Sequence, residues 1–160
     1  MTIRRATPAD VPAVLPMVAQ ICAFHQQLDP AKYSFRSDIS TMYDGWLRAK
    51  ATDPRAVFLV ADRESGEDPP QLAAFLIATI EKEIPIYRLN EFGFIHDLWV
   101  EPDYRHEGLA RQLVTLTIER FTQLGLKQVR CDTAARNDAA RQLFTASGFR
   151  PSTTEMLIEL

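Results

Sequence analysis

The sequence predicts a single α/β domain built on a mixed sheet that carries helices on its faces. A chain of 160 residues, of which 46% are hydrophobic, can bury one sizeable core and is too short for two ordinary domains. Along the chain, apolar runs of strand length alternate with longer segments of helical periodicity, in the order β, α, α, β, β, β, α, β, α, β. This alternation is typical of a mixed α/β sheet with helices packed against it.

The first three elements lie in the N-terminal third of the chain. Residues 3–6 predict a short strand, and a helix is predicted from about residue 8 to residue 27. A capping box of Thr7 and Asp10, with a proline at the first helical position, marks the start of that helix. A second helix is predicted over residues 38–50. Its apolar face consists of Ile39, Met42, Tyr43, Trp46 and Leu47.

A β-hairpin is predicted next. Residues 56–61 and 72–80 are apolar runs rich in strand-forming residues, and they are expected to pair as antiparallel neighbours. Residues 63–71 between them are rich in charge, glycine and proline, which predicts a flexible turn.

The second half of the chain begins with an apolar run over residues 94–100, which predicts a buried strand. The Glu-Pro-Asp that follows cannot extend it, because proline has no N–H to give to a neighbouring strand. Gly108 then opens an amphipathic helix, and Gly125 ends it in the left-handed conformation. A strand over residues 129–133 and a final strand over residues 154–160 are predicted after it.

Composition and charge exclude several classes of function. The net charge of −3 argues against the basic face that nucleic acid binding needs. No apolar run reaches membrane-spanning length and the N-terminus lacks a secretory signal, so we expect a cytoplasmic protein with no membrane partner. Cys22 and Cys131 are too few for a disulfide framework and lack metal-ligand spacing. We interpret both as reduced core residues and predict no metal site.

The turn between the strand and the helix near residue 105 has the features of an anion site. Arg105, Gly108 and Ala110 form the pattern Arg-x-x-Gly-x-Ala at the start of a helix. A first helical turn carries unpaired N–H groups and a partial positive charge, and small residues let the backbone approach an anion. The sequence lacks the glycine-rich loops of phosphate-binding NTPases and of dinucleotide folds. An ordinary strand-helix turn is the alternative interpretation of so short a motif.

This turn resembles the acyl-CoA site of the GNAT superfamily of N-acetyltransferases, which has the pattern Arg/Gln-x-x-Gly-x-Gly/Ala after a strand. The family continues with another strand, then Asn-x-x-Ala, usually a tyrosine, and Gly-Phe. Asn137, Ala140, Gly148 and Phe149 match this second block, whereas the tyrosine position holds Phe144. Two blocks in the correct order make the match specific, and it spans nearly the whole chain.

The resemblance implies a single GNAT domain over residues 1–160, with a mixed, mostly antiparallel sheet of six to seven strands and helices on both faces. It implies transfer of an acetyl group from acetyl-CoA, the co-substrate, to a primary amine by direct attack in a ternary complex. It also favours a homodimer in which the strand over residues 154–160 pairs across the interface; pairing within one subunit is the alternative. The residues it assigns to acyl-CoA are Leu98, Trp99, Val100, Arg105, His106, Glu107, Gly108, Leu109, Ala110, Arg111, Asn137, Ala140 and Phe144.

Catalytic roles are expected on the strand before the turn. By the resemblance, the Val100 N–H would donate to the thioester oxyanion, an interaction worth about 2.7–4 kcal/mol when preorganised. His96 and Asp97 are expected on opposite faces, because side chains alternate along a strand. Either could accept the proton of the amine through a water, and His96 is the better match to neutral pH. The structural alternative is that Asp97 caps loop amides and His96 bonds a backbone carbonyl.

The tyrosine general acid of the family is absent, because Phe144 has no proton to give. A free thiol has a pKa near ~8.5, so the thiolate can leave unaided, and general acid catalysis adds about 10²–10⁴-fold at most. Tyr104, Cys131 or a water could substitute. The same substitution is compatible with a slow enzyme or with a non-catalytic acyl-CoA-binding sensor.

The acceptor site is expected between the first two helices and in the loop after residue 80. His25 and Tyr33 in the first segment, and Glu81 and Glu83 in the second, are the candidate substrate-binding residues. The two carboxylates could bind an ammonium group. A small-molecule amine is the first expectation, and a protein or peptide acceptor, or another short acyl-CoA as donor, stays open.

Overall fold

The computed structural model describes residues 1–63 and 71–160. Apart from its two ends, the predicted turn over residues 63–71 lies outside the described residues. The strands are β1 (Thr2–Arg5), β2 (Val57–Asp62), β3 (Leu72–Lys82), β4 (Glu91–Val100) and β5 (Val129–Cys131). The α-helices are α1 (Val11–Leu28), α2 (Ile39–Thr52), α3 (Leu109–Gln123) and α4 (Asp138–Ala146), and single 3-10 turns lie at Pro8–Asp10 and Pro102–Tyr104.

The strands form one mixed sheet in the order β1-β2-β3-β4-β5. The first four are antiparallel to their neighbours, and β5 pairs parallel to β4. The prediction of a mixed, mostly antiparallel sheet is confirmed. The predicted number of strands was too high, since the described residues form a sheet of five.

The missing strand is the one predicted over residues 154–160. This segment has no regular secondary structure, and its side chains are exposed. Met156, Leu157 and Ile158 follow one another directly, so they cannot form the single apolar face that a half-buried strand requires. Without a neighbouring strand to pair with, an isolated segment of this length does not hold a strand conformation in water.

Helices cover both faces of the sheet, as predicted, and two apolar clusters result. On one face, α1 and α2 pack on side chains of β2 and β3 such as Phe58, Phe75 and Ile77. On the other face, α3 and α4 pack on residues that include Leu76 and Ile95. Among the described helices, none has the length and apolar character that crossing a membrane would require.

An ion-pair network fixes the start of the chain to the sheet. The Arg4 guanidinium donates from Nη2 to Asp10 Oδ1 at 2.7 Å and from Nε to Asp62 Oδ2 at 2.8 Å. The predicted capping box forms, because Asp10 Oδ2 also accepts from the Thr7 N–H at 2.7 Å. These bonds, the Arg4 bond above all, lower the pKa of Asp10 to about 2.

Candidate active site

A β-bulge in β4 sets the positions of His96 and Asp97, the predicted catalytic pair. Ile77 of β3 faces Asp97, but Ala78 faces Ile95, so His96 is an extra residue in the ladder. The prediction that His96 and Asp97 lie on opposite faces is wrong for this reason. The bulge interrupts the alternation of side chains, and both residues contact helix α2.

Asp97 is held by a tyrosine of α2. The Tyr43 hydroxyl donates to Asp97 Oδ2 at 3.0 Å. Burial raises the pKa of Asp97, and the Tyr43 hydrogen bond and the neighbouring His96 oppose that rise. Burial, together with the negative charge of Asp97, raises the pKa of Tyr43, so the phenol stays protonated and remains a donor.

His96 lies against aromatic rings and a hydroxyl. Its ring is edge-on to Trp46 of α2, with centroids 5.2 Å apart, and to Phe94, with centroids 5.0 Å apart. Its Nε2 is 2.7 Å from Thr79 Oγ1, and the Thr79 hydroxyl donates to Glu81 Oε1 at 2.5 Å. Burial lowers the pKa of His96, and the charges of Asp97 and Glu81 oppose this effect. The lowered pKa favours the neutral imidazole.

Thr79 was missed in the sequence analysis. It is the one hydroxyl-bearing residue in the apolar run over residues 72–80, and it is 4% exposed. A buried polar side chain inside an otherwise apolar strand requires a partner, and that requirement was the available signal.

Strands β4 and β5 separate at the bulge. The parallel pairing ends where Ile95 faces Cys131. Further along β4, the Glu101 N–H donates to Ala73 O of β3 at 2.8 Å. Because successive residues of a strand direct their backbone groups to opposite sides, the N–H groups of Leu98 and Val100 point away from β3. They face the side where the described chain provides no paired strand.

Trp99, between Leu98 and Val100, directs its backbone groups the other way. Its backbone points toward β3, where it faces Phe75, and its side chain packs with the α1 and α2 cluster. The indole Nε1 is buried and has no hydrogen-bond partner among the described residues.

The turn after β4 presents a row of unpaired amides. His106 has φ 67° and Gly108 has φ 79°, both in the left-handed region, and Gly108 is the N-cap of α3. The first helical bond is from the Gln112 N–H to Gly108 O at 3.1 Å. Within residues 1–63 and 71–160, no hydrogen bond uses the N–H of any residue from 106 to 111. A concave set of free N–H groups at a helix N-terminus is suited to hold an anion.

Arg105 ties the end of β4 to this turn. Its Nε donates to Val100 O at 2.9 Å, and its guanidinium lies over the Trp99 ring, 4.7 Å from the centroid. The bond to Val100 uses a carbonyl on the open side of β4. Arg105 therefore orients the open edge of β4 relative to the turn over residues 106–111, the two parts of the predicted acyl-CoA site.

Two grooves border α3. One, of about 490 Å³, is lined by Gly108, Arg111, Gln112, Thr115 and Leu116, so it begins at the unpaired amides. The other, of about 320 Å³, is lined by residues of β1, β2 and the later part of α3, among them Arg5 and Arg120. None of the predicted site residues lines the second groove.

The second sequence block has a structural role at α4. Asn137 Oδ1 accepts from the Ala140 N–H at 3.1 Å and so caps the helix. Phe144 is buried in the α3 and α4 cluster, with its ring 5.2 Å from that of Phe149. Burial raises the pKa of Cys131 to about 12, so its thiol holds its proton firmly.

The predicted acceptor residues fall into two groups. Glu81 lies beside His96, as described above. Glu83 Oε2 is 2.7 Å from Arg130 Nη1, so its charge is already paired. At the end of α1, His25 Nδ1 contacts Ile21 O at 3.0 Å, and the His25 ring lies 4.8 Å from that of Tyr33.

Helix packing relates these groups to the bulge. Helix α1, which carries His25, packs on the same face of the sheet as α2, whose Tyr43 bonds Asp97. The structure thus brings Glu81 and His96 together and places His25 on the helix that lies beside α2. Glu83 is the predicted acceptor residue whose carboxylate is least available, because Arg130 occupies it.

Comparison with known proteins identifies the family. A sequence profile described as the acetyltransferase (GNAT) family matches residues 21–149. The chain is 28% identical over 96 residues to N-alpha-acetyltransferase 30 of Saccharomyces cerevisiae, a match that covers 60% of this chain. The match spans about half of that relative, 52% of its length.

Solved structures show the same fold. A tetramutant of the BH1408 protein from Bacillus halodurans superposes with a TM-score of 0.84 at 21% identity, over 100% of both chains. The aminoglycoside N-acetyltransferase AAC(6')-Iy, solved in complex with CoA, has a TM-score of 0.70 at 16% identity, over 99% of this chain and 93% of that one. With the family profile covering most of its length, the chain belongs to the acetyltransferase (GNAT) family.

Proposed function

We propose that this chain is an acetyl-CoA-dependent N-acetyltransferase that acts on a primary amine by direct attack in a ternary complex. The observation that carries the proposal is the continuity of two open backbone surfaces. The N–H groups of Leu98 and Val100 lie on the open side of β4, and Arg105, which precedes the unpaired N–H groups of residues 106–111, bonds Val100 O on that side. One ligand with a phosphate at one end and an amide-bearing arm suits both surfaces.

On the donor side, residues 106–111 would bind the pyrophosphate of acetyl-CoA, and the open edge of β4 would pair with its amide-bearing arm. The Val100 N–H would donate to the oxyanion that forms at the thioester carbon, which is worth about 2.7–4 kcal/mol when preorganised. Gly108 and Ala110 keep side chains away from the amides. Arg105 holds the two surfaces in register through its bond to Val100 O.

On the acceptor side, His96 is the favoured base. A primary amine has a pKa near ~10.4 and arrives protonated, so a group must accept its proton, directly or through a water. Burial lowers the pKa of His96, which favours the neutral imidazole that a base requires. Asp97 is the weaker candidate, because its carboxylate accepts from Tyr43 and is buried. Glu81 beside His96 would attract the ammonium form of the substrate.

The leaving thiolate would depart without an acid from the protein at the family position. Phe144 is buried and apolar, and Cys131, with a pKa raised to about 12, is a poor proton donor. Tyr104 and a water remain as candidate acids. We expect a lower turnover than a tyrosine would allow, by up to the ~10²–10⁴-fold that general acid catalysis contributes.

A small-molecule amine is the proposed acceptor, in a cytoplasmic homodimer. The fold shared with an aminoglycoside N-acetyltransferase supports a small molecule as the acceptor. The N-alpha-acetyltransferase relative favours a protein N-terminus as the second candidate. Exposed Met156, Ile158 and Leu160 support association of two copies through the C-terminal segment, which size-exclusion chromatography with light scattering would test.

The test is thiol release from acetyl-CoA against polyamines, amino sugars, aminoglycosides, amino acids and N-terminal peptides, with CoA binding measured by calorimetry. We expect release with one acceptor class and a loss of about 10²–10⁴-fold in His96→Ala. Tyr43→Phe is the companion variant: it removes the hydroxyl that bonds Asp97 and leaves His96 in place, so it should cost much less.

The other outcomes discriminate between the alternatives. CoA binding without turnover on any acceptor would support a non-catalytic acyl-CoA sensor. A larger loss in Asp97→Asn than in His96→Ala would make Asp97 the base. Absence of both binding and turnover would contradict the donor site itself.

A further inference from the structure

We infer that Thr79 is a positioning residue that fixes His96 as the tautomer protonated on Nε2, which leaves Nδ1 as the atom that accepts the proton of the amine. This inference rests on the proposed function for the use of that proton. The arrangement itself can be tested in the resting protein.

The geometry places one hydroxyl between an imidazole and a carboxylate. Thr79 Oγ1 is 2.7 Å from His96 Nε2 and 2.5 Å from Glu81 Oε1, whereas His96 Nε2 is 3.5 Å from Glu81 Oε1. Thr79 is 4% exposed, so water does not compete freely for its hydroxyl. The short contact to Glu81 is in the range of hydrogen bonds from a hydroxyl to an ionised acceptor.

Counting hydrogens decides the tautomer. A threonine hydroxyl has one hydrogen, and an ionised carboxylate can only accept. The Thr79 hydrogen therefore goes to Glu81, and the Thr79 oxygen is left as an acceptor toward His96. The His96 Nε2 must then carry the hydrogen of the neutral ring, and the lone pair lies on Nδ1.

The surroundings of His96 hold this arrangement in place. Trp46 and Phe94 pack edge-on against the ring and restrict its rotation. In the part of the chain that the structure describes, no hydrogen bond uses Nδ1. With 28% of the side chain exposed, the residue remains accessible to a substrate or to a bridging water.

One proton moves from the substrate to His96. An N–H bond of the substrate ammonium breaks, its electron pair stays on the amine nitrogen, and a new N–H bond forms at His96 Nδ1. The resulting imidazolium donates from Nε2 to Thr79 and lies near the negative charge of Glu81. The neutral amine then forms the C–N bond at the thioester carbon and the C–S bond breaks, with its electron pair leaving on the thiolate. The nitrogen loses a second proton as the amide forms. Of this proton and the one held by the ring, one passes to the thiolate and the other to water.

The charged groups around His96 come from three elements. Glu81 on β3 and Asp97 on β4 favour the imidazolium, and Lys50 on α2 disfavours it. Removal of the Thr79 hydroxyl breaks the hydrogen-bonded path to Glu81 and leaves all three charges in place. The imidazolium would then be less stabilised, so the base would be weaker.

The experiment is a long-range ¹H–¹⁵N NMR spectrum of the histidine rings at a pH where they are neutral, with His96 assigned by its loss in His96→Gln. The chain has 3 histidines, so the assignment is tractable. We expect the Nε2–H form in the wild type and in Thr79→Ser, which keeps the hydroxyl. Thr79→Val, which replaces the hydroxyl by a methyl group, should give a mixture of tautomers.

Kinetics provide the second readout. In Thr79→Val, kcat/KM should fall about 10- to 100-fold, less than the loss of the base itself, and its acidic limb should move to lower pH. Thr79→Ser should restore both. Glu81→Ala removes a half-exposed side chain, so it keeps the test decisive if Thr79→Val does not fold. It should also weaken the tautomer preference, because the Thr79 hydrogen is released.

An Nδ1–H form in the wild type, or an unchanged Nε2–H form in both Thr79→Val and Glu81→Ala, would overturn the inference. The NMR result does not depend on turnover. An Nε2–H ring in a protein that acetylates no amine would contradict the proposed function and support the assignment of Thr79 as the residue that fixes the tautomer.

Discussion

Replacing Gly108 by alanine perturbs the predicted donor site with little other effect. Gly108 has φ 79° and ψ 2° and caps α3, directly beside the unpaired amides. A Cβ built there meets no atom within 4 Å, so the cost is conformational and not steric. The left-handed conformation costs an L-residue about 1–2 kcal/mol. The exposed turn can relieve that strain if residue 108 leaves the left-handed region. The N–H groups of the turn would then no longer converge on one ligand.

The expected effect is a weaker complex with CoA. If the strain must be restored on binding, about 1–2 kcal/mol corresponds to a dissociation constant about 5- to 30-fold higher. Isothermal titration calorimetry with CoA measures this directly. Urea unfolding of the free protein measures the part of the strain that the turn does not relieve.

Gly125 provides a matched control. It has φ 81° at the other end of α3, and a Cβ there also meets nothing within 4 Å. Gly125→Ala therefore introduces the same kind of strain away from the amides, and it should lower stability without changing CoA affinity. Wild-type affinity in Gly108→Ala, or an equal loss of affinity in Gly125→Ala, would refute the assignment of the turn to CoA.

Three further predictions concern stability and reactivity. Hydrogen bonds from Arg4, and to a lesser extent from Thr7, lower the pKa of Asp10 from 3.8 to about 2. After a discount for solvent screening, they contribute about 1 kcal/mol of stability above pH 4, which is lost as the pH falls toward 2. In urea unfolding, Asp10→Asn should lack this acid-dependent loss, and an unchanged pH profile would contradict the prediction. Gly93→Ala places a Cβ 2.5 Å from Phe121 Cε2, and this overpacking should lower the free energy of unfolding by about 1–3 kcal/mol, as measured by thermal unfolding. Wild-type stability in this variant would contradict the prediction. Because the pKa of Cys131 is raised to about 12, its alkylation rate, followed by mass spectrometry, should still be rising above pH 9, and a plateau there would disagree.

The elements were predictable where a local signal marks each boundary. Gly108 and Gly125 adopt the left-handed conformation at the two ends of α3, and the capping box of Thr7 and Asp10 forms as its spacing suggested. The apolar strands β2 and β3 lie close to their predicted bounds for the same reason, since their composition differs from that of the flanking residues.

Pairing between distant segments was not predictable from the local pattern. The bulge at His96 depends on the register between β3 and β4, which no single strand encodes. It reversed the expected placement of His96 and Asp97. The strand expected over residues 154–160 failed similarly, because a strand requires a partner and its own apolar pattern was irregular.

In the candidate site, too, local motifs were predictable and long-range contacts were not. The turn over residues 105–111 was predictable as a motif, because its chemistry resides in the backbone and in glycine. The functions of individual side chains were not, because they depend on what folding brings near them. Arg105 bonds Val100 O, Arg130 pairs with Glu83, and Thr79 bridges His96 and Glu81.

The central claim is that the open edge of β4 and the first turn of α3 together bind acetyl-CoA. A titration of ¹⁵N-labelled protein with acetyl-CoA, followed by amide NMR, tests it most directly. We expect the largest amide shifts at Leu98, Val100 and residues 106–111. Absence of saturable shifts, or shifts confined to the second groove beside Arg5 and Arg120, would contradict it.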